Sequence, residues 1–497
     1  MRVTDAMFEP GRNCWRIERA DRAAVIVDAC DYYRIIREAM TQAKHRILLI
    51  GWDFDPRIAL DRTSPEHKGE TLGSFLLDLA KAKPQVAIDI LVWDVGAFKM
   101  LGRGSAMLWL ARWAITKAIT FQFDRMHPTG CSHHQKIVVI DGVFAVCGGI
   151  DMTRDRWDTS AHRDDDPDRV RPDGTPYGPW HDITMAVDGD AARALAELAG
   201  TRWQRATGRQ LPALTERREL WPQGLEPTFT DTDFAISRTR GAHRDVDEVR
   251  EIETLFLDMI ATAKHFIYAE NQYFTSPKLA AAIAARMEED NPPEIVLVTP
   301  LQADGWLEQK AMDATRIRLA RTIGHVDKQN RFRIYTPFTA GGAPIYVHAK
   351  LMIVDDRLLR IGSSNMNNRS LGLDSECDLA CEAGDDAARG AQITALRSRL
   401  LAEHLGCEQQ LVAATFAATG SLIATIEALR GAGKTLRLLE LPVPEGIEKF
   451  IADTELLDPV SPTAMFENIG KPSLMKRFGH SLWRQRRHSG RKSGTER

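Results

Sequence analysis

A chain of 497 residues has room for about two to four domains of ordinary size, and with 44% apolar and 27% charged residues it has the make-up of a water-soluble globular protein. A formal net charge of −3 gives no global reason to expect a nucleic-acid partner. Seven scattered cysteines, an odd number without metal-ligand spacing, point to reduced thiols in a reducing compartment.

Met1 to Pro10 carries acids and no apolar core, so no secretory signal is read there. Asp31 to Lys44 has helical periodicity, with Tyr33, Ile36, Met40 and Ala43 on one side, and leads through Ala43-Lys44-His45-Arg46-Ile47 into a strand, Ile47 to Ile50, that ends at Gly51-Trp52-Asp53-Phe54. A helix (Leu72 to Ala82), a strand (Val86 to Trp93), a helix (Met107 to Ile119) and a short strand (Phe121 to Phe123) follow. Strands alternating with helices argue for an α/β fold with a mostly parallel sheet.

The next stretch is His134-Gln-Lys136-Ile-Val-Val-Ile-Asp141, followed by Gly148-Gly149-Ile150-Asp151. A histidine and a lysine two apart on a strand point to one face, and the β-branched run after them reads as a strand buried on both sides. The spacing recurs 214 residues later as His348-Ala-Lys350-Leu-Met-Ile-Val-Asp355, followed by Gly362-Ser363-Ser364-Asn365.

The elements around the second copy repeat the order of the first. They run as a helix (Val249 to Ala263), Ala263-Lys264-His265-Phe266-Ile267, a strand (Phe266 to Ala269), Glu270-Asn271-Gln272-Tyr273-Phe274, a helix (Lys278 to Met287), a strand (Glu294 to Val298), a helix (Trp306 to Thr322) and a strand (Phe332 to Tyr335). This is an internal duplication. It implies two similar α/β lobes, 1–210 and 232–410, each a mostly parallel sheet flanked by helices, related by an approximate two-fold axis with the motifs meeting at the interface.

The Pro-rich stretch 211–231 is the expected connector, 411–470 a helical extension and 471–497 a basic tail. Asp155 to Trp180 reads either as a solvated surface loop or as a long loop over a cleft. Leu411 to Leu429 is the best membrane-span candidate, but Thr415, Thr419, Gly420, Ser421 and Thr425 interrupt it and make a buried helix the better reading. Gly431-Ala-Gly433-Lys434-Thr435 resembles a phosphate-binding loop, but Ala428 stands where its first glycine belongs, so a helix end and a turn are expected. Lys471 to Arg497 carries nine Lys/Arg against one Glu, with Leu474, Phe478 and Leu482 four apart; it reads as a disordered tail or as a basic amphipathic helix suited to an anionic membrane.

Cleaving a phosphodiester needs a nucleophile on one side of phosphorus, an acid for the leaving oxygen on the other, and positive charge on the remaining oxygens. His134 and His348 meet the first requirement, and Lys136 and Lys350 the last. Each imidazole also needs an acceptor on its second nitrogen; Asp182 and Glu376 are the carboxylates available, with Asp182 expected behind His134. Ser363, Asn365 and the Gly-rich turn at Gly149 and Asp151 are candidate phosphate contacts, although Asp151 would need a cation beside it. Asp141 and Asp355, seven residues beyond their histidines, are expected to be structural.

The doubled H-x-K-x4-D-x6-G-[SG]-x-[ND] pattern resembles the paired HKD motif of the phospholipase D superfamily. With Gly51-Trp52-Asp53, Arg156-Trp157-Asp158-Thr159, Pro179-Trp180-His181-Asp182, Glu270 to Phe274 and Glu403-His404-Leu405-Gly406, it is similar to the phosphatidylcholine-type enzymes over roughly residues 10 to 406. Motif one departs from the general pattern in carrying Gly149 and Asp151 where Ser and Asn are usual, a form the eukaryotic-type enzymes share.

The resemblance implies hydrolysis of a phospholipid at a membrane surface to phosphatidic acid and the headgroup alcohol, through a phosphohistidine that water or a second alcohol releases. His134 is the expected nucleophile and His348 the acid/base. A phosphatidyltransferase of the cardiolipin-synthase type, a nuclease of the same superfamily and a non-catalytic lipid-binding module are the competing readings. No cofactor, no metal and no nucleic-acid partner are expected. One chain holding both motifs is expected to act as a monomer, cytoplasmic or peripheral to a membrane.

Overall fold

The computed structural model describes residues 6–67, 69–94, 105–214, 218–302, 306–440 and 458, with the backbone alone for 306–311. The basic segment 471–497 and most of 441–470 lie outside the described residues.

The first half runs β1 (Arg16–Val27), α1 (Ala29–Thr41), β2 (Arg46–Gly51), α2 (Leu72–Ala82), β3 (Ala87–Trp93), α3 (Ala106–Ala114), β4 (Ile119–Asp124), β5 (Ile137–Ile140), β6 (Phe144–Gly148), β7 (Trp180–His181), β8 (Ile183–Asp188) and α4 (Gly189–Thr207). The second runs β9 (Phe229–Arg240), β10 (Val249–Arg250), α5 (Glu251–Thr262), β11 (Phe266–Asn271), α6 (Pro277–Met287), β12 (Glu294–Val298), α7 (Trp306–Val326), β13 (Phe332–Phe338), β14 (Tyr346–Val347), β15 (Lys350–Val354), β16 (Leu358–Gly362), α8 (Asn368–Gly372), β17 (Glu376–Glu382) and α9 (Ala387–Leu405). Then come α10 (Gln409–Thr419), α11 (Leu422–Leu429) and β18 (Thr435–Leu438).

One mixed sheet runs through both halves, in the order β18-β13-β12-β11-β15-β16-β17-β9-β1-β8-β6-β5-β2-β3-β4. Leaving β18 aside, the order reads the same from either end about the β1/β9 seam, where Arg16 pairs with Ile236 and Ala23 with Phe229. The parallel order expected from helix–strand alternation holds for β2-β3-β4 and β11-β12-β13. Each motif instead forms an antiparallel hairpin, β5/β6 and β15/β16, so the inner half of the sheet is antiparallel.

Both faces of the motif strands are covered. Ile137 and Val139 enter a central cluster shared with Leu351 and Ile353, while Val138 and Ile140 pack toward α1 and α2, and Met352 and Val354 toward α5 and α6. The halves also meet beside the hairpins: the buried Cys147 thiol on β6 donates at 3.3 Å to the Cys377 carbonyl on β17, the strand paired with β16.

Asp141 and Asp355 close each hairpin onto its neighbour. Asp141, at φ 50°, accepts the backbone N–H groups of Lys44, His45 and Arg46 at 2.7–2.8 Å and the Arg218 guanidinium at 2.7 Å. Asp355, at φ 55°, accepts those of Lys264, His265 and Phe266 at 2.7–2.9 Å. The repeated Ala-Lys-His strand entries thus exist to meet the motif aspartates.

Several boundaries differ from the expected ones. The helix expected over Met107 to Ile119 stops at Ala114, where a turn from Thr116 to the Trp113 carbonyl leads into β4. Leu411 to Leu429 is two short helices, not one buried one: Gly420 at φ 64° ends α10, the Ser421 hydroxyl caps α11, and Leu411 is 48% exposed. Among the described residues no helix is long and apolar enough to cross a membrane. β18, inside the expected extension, pairs antiparallel with β13 at the sheet edge. Lys434 in the glycine-rich decoy reaches the Ser160 carbonyl at 2.6 Å, so it is a structural tie.

Candidate active site

Two short parallel pairings between the halves build the site. In one, Tyr346 and Val347 of β14 pair with Trp180 and His181 of β7, and the His348 amide donates to the His181 carbonyl at 2.8 Å. In the other, His133 pairs with Ser375, and the His134 amide donates to the Ser375 carbonyl at 2.9 Å. The next residue along each register is a carboxylate facing a histidine. His348 Nδ1 lies 2.6 Å from Asp182 Oδ2, and His134 Nδ1 lies 3.0 Å from both oxygens of Glu376.

The pairing is therefore crossed. Asp182 stands behind His348 rather than behind His134 as expected from sequence, because the register of β7 against β14 carries it across the interface. Each half supplies one histidine and the carboxylate that orients the other half's histidine, leaving Nε2 of each ring for chemistry.

The carboxylates are deeply buried, and their support differs. Glu376 accepts the Ser363 and Ser370 hydroxyls at 2.5 and 2.6 Å. Burial pushes its carboxyl up to about 8, opposed by Lys136 and the two serines. Ser363, expected to touch phosphate, is thus committed to Glu376. Its Oγ also accepts the Cys377 amide at 3.0 Å.

Asp182 accepts the Ile183 amide at 2.8 Å, and burial raises its carboxyl against the pull of Lys350. Gly149 packs against it: a Cβ on residue 149 would sit 2.1 Å from Asp182 Oδ1, and the Gly149 amide already donates to the Ile183 carbonyl at 3.0 Å. This accounts for the departure in motif one. Aspartate is one methylene shorter than glutamate, so the turn must approach it without a side chain, whereas Glu376 leaves room for Ser363.

The two lysines are unequally neutralised. Lys136 Nζ lies 3.3 Å from Asp151 Oδ2 and donates to the His134 carbonyl at 2.7 Å. Asp151 has the cation it needs, and it also accepts the Trp52 amide at 2.9 Å, which ties the Gly51-Trp52-Asp53 stretch to the motif. Lys350 donates to the Gln272 amide oxygen, at 3.2 Å, and to the His348 carbonyl; Asn365 donates to the same Gln272 oxygen at 3.4 Å. Burial lowers the Lys350 ammonium to about 7, against the pull of Asp182.

Burial first, then the facing lysines, also holds both histidines well below their usual value. Lys136 and Lys350 each act on both rings, which places the two histidines and two lysines in one electrostatic site. The site gathers positive charge of the kind that stabilises an anion.

Aromatic rings border it. Trp52 lies edge-on to His134 at 6.3 Å between centroids and stacks on Trp93; Trp180 lies 5.2 Å from His348, stacks on Tyr346, and carries the Arg156 guanidinium at 4.1 Å. Arg156 and Trp180 belong to the 155–180 stretch, which is anchored rather than loose. Asp158 binds Arg169, His162 and the Trp180 amide, and Asp164 accepts the Gly341 amide of the other half at 2.8 Å.

His133, beside the expected nucleophile, is not part of this site. It hydrogen-bonds Ser375 at 2.7 Å, lies 3.1 Å from Asp124, and lines a separate cavity of about 280 Å³ with Arg202 and His127. Residues that sequence reasoning missed are Ser370, with no local signal, and Asp28 and His162, isolated in the chain. Asp28 and His162 join His181 and Glu403 in a buried cluster.

A family model described as cardiolipin synthase, PLD-like domain, matches residues 256–393. Phospholipase D A of Dictyostelium discoideum is 26% identical over 80% of this chain and 37% of its own, and phospholipase D1 of Saccharomyces cerevisiae 27% over 78% and 29%. These matches support the phospholipase D superfamily for this chain. Phospholipase D alpha 1 of Carica papaya is 26% identical over 74% of this chain and 63% of its own, so the chain spans less than two thirds of each of these relatives. The crystal structure of phosphatidylserine synthase from Haemophilus influenzae Rd KW20 superposes with a TM-score of 0.54 at 13% identity, covering 84% of this chain and 98% of that one, and shares the fold.

Proposed function

We propose that the chain is a phospholipase D that hydrolyses the distal phosphodiester of a glycerophospholipid to phosphatidic acid and the headgroup alcohol. The crossed pairs His134–Glu376 and His348–Asp182, in one site with Lys136 and Lys350, carry this reading. His134 Nε2 attacks phosphorus, the bond to the headgroup oxygen breaks, and His348 gives that oxygen its proton. In the second step His348 takes a proton from water as the water oxygen attacks phosphorus. The P–N bond then breaks, releasing phosphatidic acid and His134. A primary alcohol in place of water gives a new phosphatidyl ester.

His348 must be protonated at the start. The phosphodiester anion offsets the lysines that now disfavour the charged ring, and Asp182 at Nδ1 favours it. Lys350, with no carboxylate bonded to its ammonium among the described residues, is suited to a non-bridging phosphate oxygen, and Asn365 stands beside it. The machinery assigned to the chain itself is His134, Lys136, Asp182, His348, Lys350 and Glu376, acting within one chain and without a cofactor. Three large apolar side chains at α3, Met107, Leu108 and Ile115, are 43, 62 and 87% exposed, which supports contact with a lipid surface.

Mass spectrometry of products from mixed phospholipid vesicles, with and without a primary alcohol, tests the proposal. Phosphatidic acid, and a phosphatidyl ester when alcohol is present, is the expected result. Conversion of phosphatidylglycerol to cardiolipin as the main product would favour the phosphatidyltransferase reading that the family model's description suggests.

A further inference from the structure

Behind the catalytic site lies a buried cluster with no part in the chemistry above. Asp28 follows β1, His162 sits in the 155–180 stretch, His181 is on β7 and Glu403 is on α9, so four distant segments from both halves converge. One donor atom from each lies within 4.8 Å of all the others. His181 Nδ1 is 2.8 Å from Glu403 Oε1 and 3.2 Å from Asp28 Oδ1; His162 Nε2 is 3.1 Å from Glu403 Oε1 and 3.8 Å from Asp28 Oδ2. Four donors at about 2.0–2.1 Å from a tetrahedral zinc ion stand roughly 3.3 Å apart, within that spread.

Three observations fit a cation at the centre. The first is orientation. His162 Nδ1 meets Asp158 at 2.9 Å and His181 Nε2 meets Glu270 at 2.7 Å, the outer carboxylate contact that metal-bound imidazoles make, so the opposite nitrogens face the centre, His162 Nε2 hydrogen-bonded to Glu403 at 3.1 Å. The second is that His181 Nδ1, on a fully buried side chain, comes within 2.8 Å of Glu403 Oε1 and 3.2 Å of Asp28 Oδ1 without an aligned hydrogen bond to either.

The third is charge. Asp28, Asp158, Glu270 and Glu403 bring four negative charges. Arg169, 3.2 Å from Asp158, and Lys434, within electrostatic reach of Glu403 and Asp28, bring two positive ones. One divalent cation with both imidazoles neutral closes the balance that two ring protons would otherwise have to close.

We propose that Asp28, His162, His181 and Glu403 bind a divalent cation of the zinc type, which clamps β7 to α9. Because His181 immediately precedes Asp182, the ion fixes the strand that orients His348. It holds position and does no chemistry; buried as it is, it enters as the two halves close.

The test uses the full chain, untagged and purified without chelators from zinc-supplemented cells. Elemental analysis is expected to find about one zinc per chain. Chelator treatment lowers the thermal midpoint by several degrees and added zinc restores it, while cobalt(II) in the treated protein gives the visible absorption of a tetrahedral site. His162→Gln and Glu403→Gln lose the stoichiometric metal, and Asp158→Asn weakens affinity by roughly 10–100-fold. Less than a tenth of an equivalent of any divalent metal in the wild-type protein, with no thermal response to zinc or cobalt, would overturn the proposal. The balance would then be kept by two ring protons. That wild-type result needs no variant to fold and does not depend on catalytic activity.

Discussion

Gly149→Ala puts the crossed arrangement to a sharp test, because it adds one methyl group outside the reacting groups. The added Cβ would sit 2.1 Å from Asp182 Oδ1 and 3.0 Å from its Cγ, where ordinary contact begins at 3.4 Å, so the carboxylate must retreat by about 1 Å or more. Asp182 has two bonds to lose in that retreat, 2.6 Å to His348 Nδ1 and 2.8 Å from the Ile183 amide. A misplacement of about 1 Å at a catalytic group costs on the order of 10²-fold in rate, or about 3 kcal/mol of barrier. The assay is kcat on short-chain phospholipid, measured in Gly149→Ala, Asp182→Ala and the double variant. The single changes are each expected to lower kcat, and Gly149→Ala is expected to cost little further once the Asp182 carboxylate is gone. Wild-type kcat in Gly149→Ala, or simple additivity of the two, would refute the reasoning.

Three further outcomes follow from the same geometry. Glu376 must be ionised to accept the His134 Nδ1 proton, and its carboxyl sits at about 8, so kcat/KM is expected to fall as pH drops through that value. Ser370→Ala removes a donor that favours the charged form; at roughly 1.5–3 kcal/mol for such a bond, the acid limb moves up by about 1–2 pH units, and an unmoved limb in a pH–rate profile would contradict the role of Ser370. With Lys350 near 7, binding of tungstate or phosphate at pH 8 is expected to take up protons; calorimetry in buffers of different ionisation enthalpy reads this, and Lys350→Met should reduce it. Asp141→Ala leaves three backbone N–H groups and Arg218 unmatched at a left-handed residue, so it is expected to cost about 3 kcal/mol or more in chemical denaturation while kcat in the remaining folded protein changes little.

Much of the site can be read from the chain because its residues come as a local pattern, repeated. The His-x-Lys pairs, the β-branched runs and the aspartates seven residues on are spaced by strand geometry, and geometry of that kind is visible in sequence. The partner of each histidine is not. Asp182 follows the first motif and Glu376 the second, so proximity in the chain suggests the wrong pairing, and only the register of β7 on β14 reveals the exchange. Ser363 looked like a phosphate contact for the same reason, since its hydroxyl is claimed by a carboxylate thirteen residues further on. Long-range strands were harder still: β1 and β9 carry polar residues at alternate exposed positions and form the seam between the halves, a pairing set by tertiary packing rather than by local propensity. The Asp28–His162–His181–Glu403 cluster has no ligand spacing at all, because its members are brought together only by the closed fold.

The most direct test of the central claim is to trap the covalent intermediate. Acid-sparing quench of the His348→Ala variant with an activated short-chain phosphatidyl ester, followed by peptide mass spectrometry, should find a phosphatidyl adduct on His134 and none in His134→Ala. The account predicts that each single variant also loses several orders of magnitude in turnover on an ordinary phospholipid. An adduct on any residue other than His134, or more than about a tenth of wild-type turnover in either single variant, would contradict a shared site in which His134 attacks and His348 protonates.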